Sequence, residues 1–318
     1  MSRLLSRRGL IGGGVSLLAV GGCGLQPVVA TPKAQGPGPL FGLSLPNADP
    51  DQLAELAKRL TCGPAIVSRF VKLDSVLTVQ DLVETAAGGA TPLITLEPWS
   101  HVSRSGQVNQ PTYSLAQIAQ GKHNQDLRRL AHVFRSYGGP LYVRFAHEMN
   151  ADWYPWGTTV NQNSAALYNA AWHHVHGLVS SIAPNVKWVW APVAAWWSEA
   201  PALKPMYPGD DVVDFVGATG YGHSGTAEST FRSWFDEVRK FTTKPVLLPE
   251  IGADGPDKTA WIISLAAFFK ARPDIIGFVW FNTSPSTTGA TGDYRIDDRP
   301  EHLEAFQAML RVAQVKCR

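Results

Sequence analysis

The chain has 318 residues, of which 45% are hydrophobic types and 17% charged, and its formal net charge is +2. This is ordinary globular composition with enough apolar material for a large core. Beyond the first few residues Lys and Arg are scattered rather than clustered, which argues against nucleic acid as a partner.

Residues 1–23 read as an export signal. Ser6-Arg7-Arg8-Gly9-Leu10-Ile11 is a twin-arginine pattern ahead of a Gly- and Leu-rich apolar run ending near Val20, too short for a permanent membrane span. Val20-Gly21-Gly22-Cys23 has the form of a lipobox, which would acylate Cys23 and hold the chain on the cell envelope. Val28-Val29-Ala30 is the rival, a small-residue site whose cleavage would release a secreted protein. Both place the mature chain outside the cytoplasm, with membrane contact only through the lipid. Residues 24–39, rich in Pro, Gly and Ala, suit a tether.

From residue 40 to 318 short β-branched or aromatic runs alternate with helical stretches, the pattern of βαβ units around a parallel sheet. Strands are expected at 40–45, 65–73, 92–97, 140–148, 186–193, 213–221, 245–250 and 275–282, and the clearest helices at 50–60, 124–137, 165–182, 229–241 and 259–271. Eight runs with long crossovers predict an α/β fold of the (β/α)8 TIM barrel type, forming one catalytic domain and read as a monomer. A doubly wound open sheet is the competing architecture, but no Gly-rich phosphate fingerprint follows the first run. With Cys23 lipidated, Cys62 and Cys317 remain as a pair, Cys62 following the first helix and Cys317 ending the last, neighbours in a closed barrel. A disulfide and two separate thiols both stay open.

Barrel enzymes carry their chemistry at the C-terminal ends of strands. The fourth run ends in Arg144-Phe145-Ala146-His147-Glu148-Met149-Asn150 and the seventh in Leu247-Leu248-Pro249-Glu250, on opposite sides of the barrel mouth. Two carboxyl groups, one protonated and one ionised, are what glycosidic bond cleavage needs. The bland alternative is that Glu148 pairs with Arg144, four residues earlier. A second Glu on the opposing strand and the Trp residues around the rim weigh against it.

The run RFAHEMNADWYPWG at 144–157 resembles the acid/base region of glycoside hydrolase family 26. ITLEPW at 94–99, YPGDDVVDFVGATGY at 207–221, KPVLLPEIG at 244–252, GFVWFN at 277–282 and DYRI at 293–296 extend the resemblance along the domain. The resemblance implies a retaining glycosidase acting on β-linked polysaccharide, with Glu148 as acid/base and Glu250 as nucleophile. It implies that His147 and Tyr221 orient the sugar and hydrogen-bond the nucleophile. Arg144 and Asn150 would support the acid/base, and Trp153, Trp156 and Trp280 would form aromatic walls of the sugar subsites. Glu97 and Trp99, in ITLEPW, join the expected substrate contacts. Two positions depart from the family pattern: Ala151 stands where Gly is common, and Thr219 where Asp is common. The second removes an acceptor for a sugar hydroxyl and loosens substrate identity.

Eleven Trp residues are many for this length. Trp172 and Trp188 are expected in the core, whereas Trp99, Trp153, Trp156, Trp196, Trp197 and Trp280, at strand ends or in loops, are expected to stack on pyranose rings. His173, His174 and His176 share a helix, but with no third ligand in the pattern they are read as a solvated or packed face. No metal and no cofactor is expected. The expected activity is endo-hydrolysis of a polysaccharide, β-1,4-mannan first, with β-glucan and xylan behind. The other class is a wall-associated carbohydrate-binding protein without turnover.

Overall fold

A computed structural model describes residues 38–101, 107–194, 197, 199–288 and 290–318. The twin-arginine run, Cys23, most of the tether and Trp196 lie outside the described residues.

The strands are β1 (Leu40–Ser44), β2 (Ile66–Lys72), β3 (Thr91–Glu97), β4 (Leu141–Phe145), β5 (Val186–Trp190), β6 (Phe215–Val216), β7 (Thr219–Gly222), β8 (Val246–Ala253) and β9 (Ile275–Phe281). All pairings are parallel. Successive strands pair from β1 to β6, both β6 and β7 pair with β8, and β9 joins β8 to β1. β6 and β7 are therefore two halves of the sixth barrel strand, and the sheet closes as a (β/α)8 TIM barrel. The uninterrupted strand expected at 213–221 is broken at Gly217, whose added Cβ would lie 1.9 Å from the Leu247 carbonyl oxygen. Only glycine lets the two backbones pass so closely there.

Two of the other strand ends that differ from expectation position the site. β4 stops at Phe145 rather than at 148, because Ala146 (φ 46°) and Glu148 (φ 55°) adopt left-handed backbone that an extended strand excludes. β8 runs past Glu250 to Ala253 with an irregular register: Leu248 faces Phe278 while Ile251 faces Trp280. Pro249, which has no N–H to give, falls inside that bulge beside Glu250.

The helices are α1 (Pro50–Leu60), α2 (Val79–Thr85), α3 (Leu115–Ala119), α4 (Asn124–Tyr137), α5 (Ala165–Ile182), α6 (Ala227–Val238), α7 (Lys258–Ala271), α8 (Pro285–Thr288) and α9 (Pro300–Val312). Local signals start several of them. Asp49 accepts from the amides of Asp51 and Gln52 ahead of α1, Ser164 caps α5, and Thr226 with Ser229 forms a capping box on α6. The main core lies between sheet and helices, where Phe41 packs on Phe306 and Phe145 on Trp172. A second cluster of Ile66, Leu93, Val189, Leu247 and Val279, from five strands, fills the barrel interior.

The C-terminal tail seals the end of the barrel away from the carboxylates. Lys316 bridges to Leu40, and Gly63 and Arg318 exchange two backbone hydrogen bonds of 2.9 Å. Cys62 and Cys317 are joined by a disulfide with Cα atoms 5.0 Å apart, across 255 residues of sequence. Cys317 does not end the last helix as expected but lies on this tail, since α9 stops at Val312. In the chain-entropy picture a loop of that size gains about 5 kcal/mol from closure.

Candidate active site

Arg144 is fully buried and reaches across the barrel interior from β4. Its Nε donates to Thr95 Oγ1 at 3.0 Å, its Nη1 to Thr219 Oγ1 at 3.3 Å, and its Nη2 to Glu250 Oε2 at 2.5 Å. The other carboxylate oxygen of Glu250 accepts from the Tyr221 hydroxyl. Both oxygens of Glu250 are thus held by donors, one of them cationic. The alternative in which Arg144 pairs directly with Glu148 is corrected: its ion pair is with Glu250, while its charge also acts on Glu148. The left-handed turn after β4 re-aims Glu148, while Arg144 keeps the inward direction of the strand.

Glu148 sits on that turn, where the local backbone costs on the order of 1 kcal/mol or more. Its amide donates to the Ala191 carbonyl at 2.9 Å and its carbonyl accepts from Ala151 at 3.0 Å. Asn150 locks the same segment to the one after β5, giving Nδ2 to the Val193 carbonyl and taking the Val193 amide, both at 2.9 Å. Asn150 therefore acts on the Glu148 turn through the backbone. Trp153 Nε1 donates to Glu148 Oε2 at 2.7 Å. Burial, then the charge of Glu250, pushes the Glu148 carboxyl up to about 7.

One carboxylate oxygen of Glu148, one of Glu250 and a ring nitrogen of His147 all lie within 4.8 Å of one another. Neither His147 nitrogen has a hydrogen-bond partner in the structure, and burial followed by the Arg144 charge holds its pKa well below the usual histidine value. It is a neutral imidazole at the base of the cleft. This trio is the set among the described residues that could offer three metal ligands. A protonated Glu148 and the Arg144 cation on Glu250 suit proton transfer there better than a cation. His174 instead bonds Asn124 at 2.6 Å and His176 packs against Trp188, while His173 is exposed.

Glu97, at the end of β3, accepts from Trp99 Nε1 at 3.2 Å, and burial raises its carboxyl to about 7 against the pull of Trp99, Lys72 and Arg144. The aromatic walls divide. Trp153 is 37% exposed, and its ring meets Trp197 at 6.0 Å, so these two can offer faces to a ligand. Trp156 and Trp280 cannot, since both are fully buried. Trp156 stacks on Tyr154 with centroids 4.4 Å apart and donates to the His147 carbonyl. Trp280 faces Trp261 and Phe306 in the helix layer and donates to the Tyr294 carbonyl. Trp99 is nearly buried, edge-on to Tyr154 and Trp156, with Lys72 over its ring. Trp172 and Trp188 lie in the core.

Three contributors were missed in the sequence. Tyr154 packs on His147 at 4.8 Å, Tyr294 packs on Tyr221 at 4.7 Å, and Thr95 takes Arg144 Nε. All three lie inside motifs already singled out, but a ring within a motif carries no signal of which neighbour it touches. Thr219 lies opposite Glu250 in the β7–β8 register and accepts from Arg144.

A family model described as glycosyl hydrolase family 26 matches residues 102–275. Endoglucanase H of Acetivibrio thermocellus is 30% identical over 234 residues, covering 69% of this chain and 24% of that protein. A β-1,3-xylanase of an Alcaligenes species is 26% identical over 179 residues, 53% of this chain and 35% of its own length. The chain thus spans about a quarter to a third of the curated relatives it matches. Among solved structures, a family 26 β-mannanase from Bacteroides ovatus superposes with a TM-score of 0.66 at 20% identity, over 87% of this chain and 90% of that one. The paired carboxyls, the barrel and a family match over more than half of the residues agree: the chain belongs to glycosyl hydrolase family 26.

Proposed function

We propose that the chain is a retaining glycoside hydrolase that cleaves β-linked polysaccharide outside the cytoplasm, with Glu148 as acid/base and Glu250 as nucleophile. The observation that carries this reading is the buried pair of carboxyls with oxygens within 4.8 Å, one raised to about 7 and the other held by Arg144 and Tyr221. Retaining enzymes keep their two carboxyl groups about 5–5.5 Å apart, whereas inverting enzymes leave room for a water between groups about 6.5–9.5 Å apart.

The protonated Glu148 gives its proton to the glycosidic oxygen as the bond from that oxygen to the anomeric carbon breaks. A Glu250 oxygen bonds the same carbon from the opposite face, and the sugar chain that held the oxygen departs as an alcohol. Glu148, now a carboxylate, takes a proton from water. The oxygen of that water bonds the anomeric carbon and releases Glu250 with its electron pair, restoring both groups. Arg144 and Tyr221 hold the two oxygens of Glu250 in the attacking position, and Trp153 holds Glu148 Oε2. No step calls for a metal.

β-1,4-Mannan is the leading substrate, in keeping with the likeness of fold to mannanases. The relatives named as an endoglucanase and a β-1,3-xylanase favour a second reading, β-glucan or xylan, and Thr219 in place of an acidic residue leaves room for either. The twin-arginine run supports export, and the lipobox at Cys23 supports an envelope anchor. The test is a panel of mannan, mixed-linkage β-glucan and xylan with the unsubstituted protein and with Glu148→Ala and Glu250→Ala. Release of reducing sugar from one polysaccharide, lost in both variants, is expected. Undiminished release in both would refute the assignment, and release from glucan or xylan but not mannan would settle the substrate against the leading choice.

A further inference from the structure

The chain enters the barrel at the end opposite the cleft. Gly38 donates its amide to the Gln314 carbonyl, and Lys316 donates to the Pro39 carbonyl and accepts from the Phe41 amide. The segment leading in from Cys23 therefore meets the C-terminal tail on the barrel floor. Fourteen residues lie between Cys23 and Gly38, a reach of about 50 Å at most. A lipid on Cys23 would keep the floor, rather than the mouth, next to the membrane.

That floor is basic around the point of entry. Barrel helices run back from the mouth, so their last turns ring the floor. The neighbouring helices α7, α9 and α1 place Lys270, Arg311 and Lys58 in those turns, all three exposed. The tail adds Lys316 and Arg318, both half-buried. Among the described residues none of these five is in an ion pair, and Asp274, the acid that follows α7, is taken by Arg239. Residues 57–66 and 305–318 hold no Asp or Glu. The helix dipole favours basic residues in last turns, which accounts for three of the five. It does not account for Lys316 or Arg318, nor for Val312, an apolar side chain 52% exposed beside Arg311. Cations scattered along the sequence are thus gathered by the fold, without counter-charge and with an apolar side chain among them, where the tether joins. Anionic lipid headgroups suit such a surface.

We propose that the barrel floor docks on an anionic membrane surface, with Lys58, Lys270, Arg311 and Lys316 on headgroup phosphates and Val312 at the interface. This adds a contact of the folded domain to the lipid contact expected from the sequence. It points the cleft away from the bilayer, toward polysaccharide. It rests on the envelope reading for the nearness of lipid, which fractionation of cells tests separately, and not on which bond is cut.

The experiment uses the full chain with Cys23→Ala, which has no site for the lipid. It is mixed with vesicles of phosphatidylcholine, with or without phosphatidylglycerol; binding is read by sedimentation and the contact face by hydrogen exchange. Binding only to the phosphatidylglycerol vesicles is expected, weakened by salt, with added protection at residues 57–66 and 308–318. Lys58→Gln, Lys270→Gln and Arg311→Gln together remove charge while keeping helix propensity. They should weaken binding roughly 100-fold, about fivefold for each charge. Lys122→Gln, Arg128→Gln and Arg299→Gln, toward the opposite ends of α4 and α9, should leave it unchanged. Residues 1–23 are common to all these chains, so their own affinity for lipid cancels in the comparison. Unchanged exchange across the floor, or an equal loss in both sets of variants, would overturn the proposal. Binding to soluble polyphosphate but not to vesicles would also overturn it, by assigning the surface to an anionic polymer.

Discussion

Glu148 and Glu250 carry the same side chain to the same cleft, yet their surroundings differ. Glu250 lies in a bulge of β8, with a guanidinium on one oxygen and a phenol on the other. Glu148 lies on a left-handed turn beyond β4, with the neutral donors of Trp153 and Thr219 and the charge of Glu250 nearby. One environment brings a donor to each carboxyl oxygen, and the other keeps a proton up to about 7. The difference comes from donors and backbone, not from residue type, the kind of contrast by which paired carboxyls in glycosidases take distinct roles.

The comparison can be broken at either end. Glu250→Ala removes the attacking atom, so kcat on polysaccharide should fall by roughly 10⁴-fold or more. Glu148→Gln should cost about 10²–10⁴-fold, and much less on an aryl glycoside whose leaving group needs no proton. In the unsubstituted protein the rate should fall as pH rises through about 7, where Glu148 loses its proton, and that limb should vanish in Glu148→Gln. An equal loss on both substrates, with the limb retained, would place the acid elsewhere.

Smaller changes sharpen the contrast. Tyr221→Phe removes one donor from Glu250 and should lower kcat by about 10- to 100-fold, the worth of a hydrogen bond to a charged group, with thermal stability almost unchanged. Trp153→Phe removes a donor that favours the Glu148 carboxylate, so the alkaline limb should move to higher pH with only about a threefold loss near its optimum. Glu148 and Glu97 are both raised from 4.5 to about 7 in the fold. Between those values the folded chain keeps protons that the unfolded chain has shed, so stability should fall as pH rises from about 4.5 to about 7 and level off above. Melting temperatures of Glu97→Gln across that range should show a shallower fall.

What could be read from the sequence follows how local each cause is. α1, α4 and α5 begin and end where expected, because caps and apolar spacing lie within the segment itself. The break in the sixth strand depends on the Leu247 carbonyl passing Gly217, a contact between strands that no local pattern announces. The two carboxyls were legible as strand ends and through the family motifs. The partner of Arg144 was not, since Glu250 lies 106 residues away and the turn that redirects Glu148 rests on left-handed backbone at two non-glycine residues. Trp280 was taken for a cleft wall because it ends a strand, but a strand shows two faces and this ring takes the helix side. The disulfide left open in the sequence needed the Cα separation, which only closure of the barrel supplies.

The division of labour between the two carboxyls is tested most directly by trapping the covalent intermediate. The protein is incubated with the 2-deoxy-2-fluoro glycosyl fluoride of its preferred sugar, digested, and the labelled peptide sequenced by mass spectrometry. The account predicts one fluorosugar bonded to Glu250. A label on Glu148, or full inactivation with Glu250 unmodified, would contradict it.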